Sequence, residues 1–311
     1  MRTASLVLTA TLTAVLCSAA GAGTVVLHAA RLYDGTGDTL RQNVSVVVED
    51  GHIRAVEPGL AKVAGAEVIE LGSATLAPGF IDCHVHLAAK LPSRTNATED
   101  AVTHSDLDRA FEGAFYARAM QQQGFTTVRD LGGGDDTVAL KHAIEQGRTE
   151  GPRILAALEP LGPTAGHGDP RASLDAAFSH PGWEYGRVDS ADEGRLRVRE
   201  HRRRGADVIK IMPSGGIAST GDDPRQQLMT DEEMRSVVTT AHALGLKVAA
   251  HIYPAGAIEA SVRAGVDSVE HGSFATDETF ALMKAHGTVL VPTLSVFDIY
   301  YDTARDRPDL L

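Results

Sequence analysis

Cysteine is nearly absent, with Cys17 and Cys83 the only two in 311 residues. Positive charge is also short. Lys and Arg number 29 against 41 Asp and Glu, a formal net charge of -12. A polyanion needs a basic surface to neutralise its phosphates, so this balance argues against a nucleic-acid partner. Long apolar runs are missing too. The longest candidate, Leu6 to Leu16, is too short to span a bilayer and gives no stable membrane anchor. It does suit an export signal over residues 1–22, with Arg2 as the positive start and Ala20-Gly21-Ala22 as a small-residue cleavage site. The expected location is therefore periplasmic or secreted. Leu16 is bulky where a lipoprotein signal needs a small residue, which argues against lipid attachment at Cys17. Cleavage would leave Cys83 alone and the mature chain without an internal disulfide, which a large core does not require.

What is present is ordinary globular composition, 43% hydrophobic and 23% charged. The one basic run, Arg195 to Arg204, lies on a predicted helix and reads as a solvated outer face. Residues 23–74 form a region of their own. Short β-branched runs (TVVLHAARLYDG, NVSVVVEDGHIRAVEP, AEVIEL) alternate with Gly and Asp turns, the pattern of a small β domain. The Asp50-Gly51 pair within Glu49 to Ile53 predicts a hairpin turn.

From residue 75 onward a unit recurs: helix, glycine, apolar strand, polar residue. It reads Gly124-FTTV-Arg129-Asp130, Gly205-ADVI-Lys210, Gly245-LKVAA-His251, Gly265-VDSVE-His271 and Gly287-TVLVP-Thr293. Each glycine suits a left-handed helix cap. Ser190-x-x-Glu193 and Thr230-x-x-Glu233 read as capping boxes. After Thr230, residues Met234, Val237, Val238, Ala241 and Leu244 share one helical face. Strands apolar on both sides, alternating with helices, predict a parallel sheet. Seven are expected, at about 75–83, 125–131, 153–158, 206–212, 246–251, 266–271 and 288–293. No Gly-rich phosphate loop follows the first of them, which argues against a doubly wound nucleotide fold. The fold class is thus α/β, a TIM-type (β/α) barrel over residues 75–311 with a small N-terminal β domain. Polar residues at the C-terminal ends of barrel strands are where such a fold carries chemistry.

Five such residues stand out. His84 and His86 end the first strand two apart, so both imidazoles face one side. Lys210 lies in the otherwise apolar ADVIKIM, where an ammonium must snorkel, pair with a carboxylate, or be chemically converted. His251 and His271 end consecutive strands twenty residues apart. Singly, each suits a satisfied core histidine. Together, four histidines and a lysine recur at one rim; imidazole and carboxylate ligands fit Zn best and also suit Mn, Co or Fe. The other nine histidines show no such register.

These residues sit in PGFIDCHVHL, VIKIMPSGGIAS, VAAHIY and VEHGS. In content, order and spacing they resemble the amidohydrolase superfamily, closest to its imidazolonepropionase-like and Xaa-Pro dipeptidase-like members, over roughly residues 25 to 311. The resemblance implies two divalent metal ions: His84 and His86 on the more buried one, His251 and His271 on the other, and Lys210, carbamylated by CO2, bridging them. It also implies a metal-binding aspartate at the end of an eighth strand. No Asp here takes that position, since Asp298 and Asp302 follow strand seven and the chain stops at Leu311. The expectation is a barrel lacking its eighth strand, C-terminally truncated, with no catalytic acid–base assignable. His167, in Thr164-Ala-Gly-His167-Gly-Asp169, is a candidate substrate contact, or only part of an ordered turn. Tyr253 is a candidate donor to an oxyanion or a substrate carboxylate. Arg129 is a candidate carboxylate clamp, or a structural partner of Asp130. The loop Ser214 to Ser219 offers backbone donors.

The function expected is hydrolysis of an amide bond, in a dipeptide or N-acyl amino acid, by a water that two cations acidify. The partner is a small molecule, and a homo-oligomer is compatible with the sequence. A second reading keeps the site and changes the bond to a lactone, a cyclic amide or a phosphotriester. A third makes the chain an inactive fragment or binding protein, because the strand-eight Asp is absent.

Overall fold

The computed structural model describes residues 23–89, 103–172, 174–175, 177, 181–217 and 221–306. The expected export signal (1–22), part of the loop after Lys210 (218–219) and Leu311 lie outside the described residues. The chain divides into two compact units between Pro78 and Gly79.

The first unit is a five-stranded sheet. Strand β1 (Thr24–Leu32) pairs antiparallel with β2 (Arg41–Glu49), and β2 with β3 (His52–Pro58). The β2–β3 hairpin turns on Asp50 and Gly51, both at positive φ (52° and 75°), which is why the turn needs an Asp-Gly pair. The other side of β1 takes β4 (Glu67–Glu70) and β5 (Thr75–Leu76), both parallel. Leu32, Val44 and Val46 form its small core. The strand expected over 75–83 is therefore divided. Its first residues complete this sheet, and the irregular segment Ala77-Pro78-Gly79 separates them from β6 (Phe80–Val85) of the second unit.

In the second unit β6, β7 (Phe125–Asp130) and β8 (Arg153–Ala156) form one parallel sheet. Strands β9 (Val208–Ile211), β10 (Lys247–Pro254), β11 (Ser268–Phe274) and β12 (Val289–Val291) form another. Backbone bonds from Asp207 N–H to Ala156 O and from Leu161 N–H to Lys210 O, each 2.8 Å, carry the pairing across from β8 to β9. Seven parallel strands among the described residues thus follow one another in chain order. Helices connect them: α1 (Asp106–Gln122), α2 (Asp135–Glu145), α3 (Ala191–Arg204), α4 (Asp231–Ala243), α5 (Ala255–Ala264) and α6 (Asp277–His286), and α7 (Leu294–Asp306) follows β12. None is long and apolar enough to cross a membrane.

Gly124, Gly205, Gly245, Gly265 and Gly287 all have positive φ at the helix-to-strand joins. Thr230 forms a full capping box with Glu233. Ser190 forms only half of one, because the Glu193 carboxylate accepts from the Asp189 N–H instead. On α4, Met234, Val237, Val238 and Ala241 are buried, whereas Leu244 caps the helix and stays 38% exposed. In the basic run Arg195, Arg199, Arg202 and Arg203 face solvent. Arg204 turns inward, clamped by the Glu159 carboxylate through two bonds of 2.6 Å.

Strands β9 and β10 are buried on both faces, as parallel strands covered by helices are. Ile209, Ile211, Val248 and Ala250 join the large core beneath the helices. Their alternates Val208 and Ala249 join Leu131 and Ala157 in a second cluster. Period two therefore puts Lys210 above Val208 and His251 above Ala249, on the face away from the helices.

Candidate metal centre

His84 is the next-to-last residue of β6 and His86 lies one residue past its end, their ring centroids 5.3 Å apart. His84 lies 5.0 Å from His271 of β11, and His271 lies 4.7 Å from His251 of β10. Lys210 of β9, 1% exposed, is close enough for its charge to depress His84, His86, His251 and His271. The five side chains proposed as ligands thus come from four strand tips to one place.

His271 gets there against the strand period. Adjacent strand residues face opposite ways, yet both Glu270 and His271 contact His84. The backbone supplies the turn: His271 has φ 69° and Gly272 φ 63°. A left-handed conformation is unfavourable for a side chain with a Cβ, and such outliers concentrate at sites where geometry is over-determined. Thr293, the polar residue ending the next unit, is likewise at φ 49°.

Hydrogen bonding assigns one proton to each imidazole. His84 Nδ1 lies 2.8 Å from Glu270 Oε2 and His86 Nδ1 3.2 Å from Gly132 O, both acceptors, so both nitrogens donate. His271 Nδ1 donates to Thr293 Oγ1 at 2.7 Å, because that hydroxyl gives its own proton to Pro292 O. His251 Nε2 donates to Gly215 O at 3.3 Å. The nitrogens left with lone pairs are Nε2 of His84, His86 and His271, and Nδ1 of His251. Space is tailored as well. A Cβ on Gly132 would lie 2.6 Å from the His86 ring.

The electrostatics favour neutral donors. Burial first, then the Lys210 charge, push His84 and His271 far below the usual imidazole value. His86, open to solvent along one edge, is held at about 4 by the same two causes. His251 is lowered by burial and by His167 and His271. Burial lowers Lys210 to about 8, against the pull of Glu270, so near that pH much of it is free amine. Neutral imidazoles with committed tautomers and a deprotonatable lysine are the chemistry a divalent cation site requires. The donor set fits. Among the described residues no three His, Cys, Asp or Glu side chains group to hold an ion by themselves.

His167 stacks on His251 at 4.2 Å, with its Nδ1 packed against Gly216. Burial lowers it to about 4. Tyr253 lies over His271 (5.3 Å, 18°) and edge-on to His251 (4.9 Å), and burial raises its phenol. Arg129 is not free to clamp a substrate carboxylate. Its Nε donates to Cys83 O (2.6 Å), Nη1 to Ser268 Oγ (3.2 Å) and Nη2 to Glu270 Oε1 (2.8 Å). Nor does it pair with Asp130, whose carboxylate accepts from the Leu87 and Gly132 N–H groups. Asp298 and Asp302 lie on exposed positions of α7, and Asp302 pairs with Arg305. Sequence reasoning missed Glu270, Asp130 and Thr293. Glu270 had a signal, an acidic residue inside an apolar strand, but period two assigns it to the face opposite His271.

Residues 75–305 match the model of the amidohydrolase family. The chain belongs to that family. It is 33% identical over 306 residues to the ochratoxinase of Aspergillus niger, covering 92% of this chain but 62% of that protein. Among solved structures it is similar to a Xaa-Pro dipeptidase with methionine bound in its active site (31% identity, TM-score 0.85, 92% of this chain and 70% of that one). It is also similar to a prolidase complexed with N-methylphosphonate-L-proline (34% identity, TM-score 0.82, 91% and 69%). The amidohydrolase fold, Xaa-Pro dipeptidase-like, thus accounts for the mixed α/β second unit.

Proposed function

We propose that this chain carries the metal centre of a hydrolase that cleaves the C–N bond of dipeptides or N-acyl amino acids. The observation that supports this best is the convergence of His84, His86, His251 and His271 around Lys210, each imidazole with one nitrogen left unprotonated. The likeness to a Xaa-Pro dipeptidase and a prolidase points to the substrate class. In the same proposal the seven strands belong to a TIM-type (β/α) barrel, and the protein is exported.

Two divalent cations, Zn by the character of the donors, would acidify a water and polarise the scissile carbonyl when bound. His84 and His86 would hold one ion, His251 and His271 the other. Lys210 would join them as a carbamate: its neutral amine adds to CO2, an N–C bond forms as one C=O π bond becomes C–O⁻, and the proton on nitrogen passes to water. Its buried site, which disfavours the ammonium, promotes that reaction. Tyr253, stacked on His271, would donate its O–H to a developing oxyanion or a substrate carboxylate. His167, stacked on His251, would contact the same substrate.

Metal content of the purified chain beside Lys210→Ala tests the reading. About two equivalents, falling to one or none in the variant, are expected; equal content in both would refute the bridge. A panel of Xaa-Pro dipeptides, N-acyl amino acids, lactones and phosphotriesters tests the substrate class. Turnover of a lactone with failure of every amide would overturn it.

A further inference from the structure

Glu270 is fully buried and lies between two groups that both demand an acceptor. Its Oε2 takes the proton of His84 Nδ1 (2.8 Å). Its Oε1 takes one from Arg129 Nη2 (2.8 Å) and one from Ser268 Oγ (2.5 Å). Arg129 is itself anchored to Cys83 O, the residue before His84, so the bonds close a ring joining β6, β7 and β11. We propose that Glu270 is a positioning residue: it fixes His84 in the tautomer protonated on Nδ1, leaving Nε2 for the ion, while Arg129 and Ser268 hold its carboxylate in place. The proposal rests on the functional reading only for the use made of that free nitrogen.

Two acceptor oxygens are essential to this arrangement. In Glu270→Gln only one oxygen remains. Pointing the amide NH2 at Arg129 would set buried donors against each other, beside a cation that can only donate. The oxygen therefore goes to Arg129, and the NH2 turns to His84. Nδ1 must then accept, and the proton moves to Nε2, the nitrogen meant for the ion.

The test is long-range proton–nitrogen NMR of the histidine side chains in the chain stripped of metal, together with zinc affinity by chelator competition. The parent chain is expected to show His84 as the Nδ1–H tautomer. Glu270→Gln is expected to show Nε2–H, with zinc bound roughly 10- to 100-fold more weakly. An unchanged tautomer and affinity would overturn the proposal. Should Glu270→Gln not fold, Glu270→Leu/Arg129→Leu removes both buried charges together, a change that proteins often tolerate. It should likewise lose the Nδ1–H signal, and retention of that signal would overturn the proposal. The tautomer readout needs no ion. A chain that takes up no zinc at all would defeat the functional reading, while the His84 signal still decides the role of Glu270.

Discussion

The molecule holds two histidine–glutamate pairs of nearly equal length, one in each unit. In the N-terminal sheet His28 Nδ1 lies 2.7 Å from Glu70; in the second unit His84 Nδ1 lies 2.8 Å from Glu270. They differ in every electrostatic respect. The Glu70 side chain is 67% exposed, and its hydrogen bond, with that of Ala61 O, raises His28 above the usual imidazole value. Glu270 is fully buried, and His84 falls far below that value because burial and the Lys210 and His86 charges outweigh the carboxylate. A contact distance therefore does not reveal a charge state; the surroundings do. The first pair, a buried imidazole against an exposed carboxylate, pins a sheet. The second keeps an imidazole neutral and oriented, as a metal ligand must be.

The comparison can be broken most forcefully at the imidazoles. His84→Ala should lower kcat/KM for an amide substrate by about 1,000-fold, roughly 4 kcal/mol of barrier, while His28→Ala leaves turnover unchanged within error. Steady-state kinetics on both variants checks this, and equal losses would erase the distinction.

Acid should separate the two units next. His167 and His251 are held below 6.5 when folded, His167 at about 4. Between those values the unfolded chain takes up protons that the folded chain refuses, so this stability is lost as pH falls from 6.5 towards 4. Asp130, raised from 3.8 to about 7 by burial, opposes this, since its contribution is lost as pH rises through that range. Asp136 is raised by burial in the same sense, but these two carboxyls face the five lowered imidazoles of the centre, so the melting temperature of metal-stripped protein should drop on acidification. His28, raised, contributes in the opposite sense: its share is present below 6.5 and lost as pH climbs through its folded value. Melts across this range, with NMR titration of the histidines, test both signs.

Packing gives the third contrast. Ile209→Ala, in the large core, should cost about 3 kcal/mol by denaturant unfolding. Val44→Ala, in the small core of the first sheet, should cost about 2. The smallest effect belongs to Glu70→Gln, which should return the His28 titration towards 6.5 and leave the melting temperature within error.

Much of this was legible in the chain. The Asp50-Gly51 hairpin, the five left-handed glycines at helix ends and the Thr230 box were readable because each is a local rule that few residue types fit. Strand period and repeat spacing put His84, His86, Lys210 and His251 at one rim, whereas their expected role as ligands came from the family resemblance. The single strand read over 75–83 was divided because pairing of Thr75 and Leu76 with β1 is long-range. The engagement of Arg129 was hidden for the same reason, as its partner lies 141 positions away.

The sequence by itself determined which residue types stand at the strand tips, since periodicity and helix stops are written in neighbouring residues. Only the tertiary structure decided their charge and orientation. Burial around Lys210, the left-handed turn at His271 and the bond from Glu270 to His84 all depend on atoms brought together from distant strands, and electrostatic free energy follows distance in space.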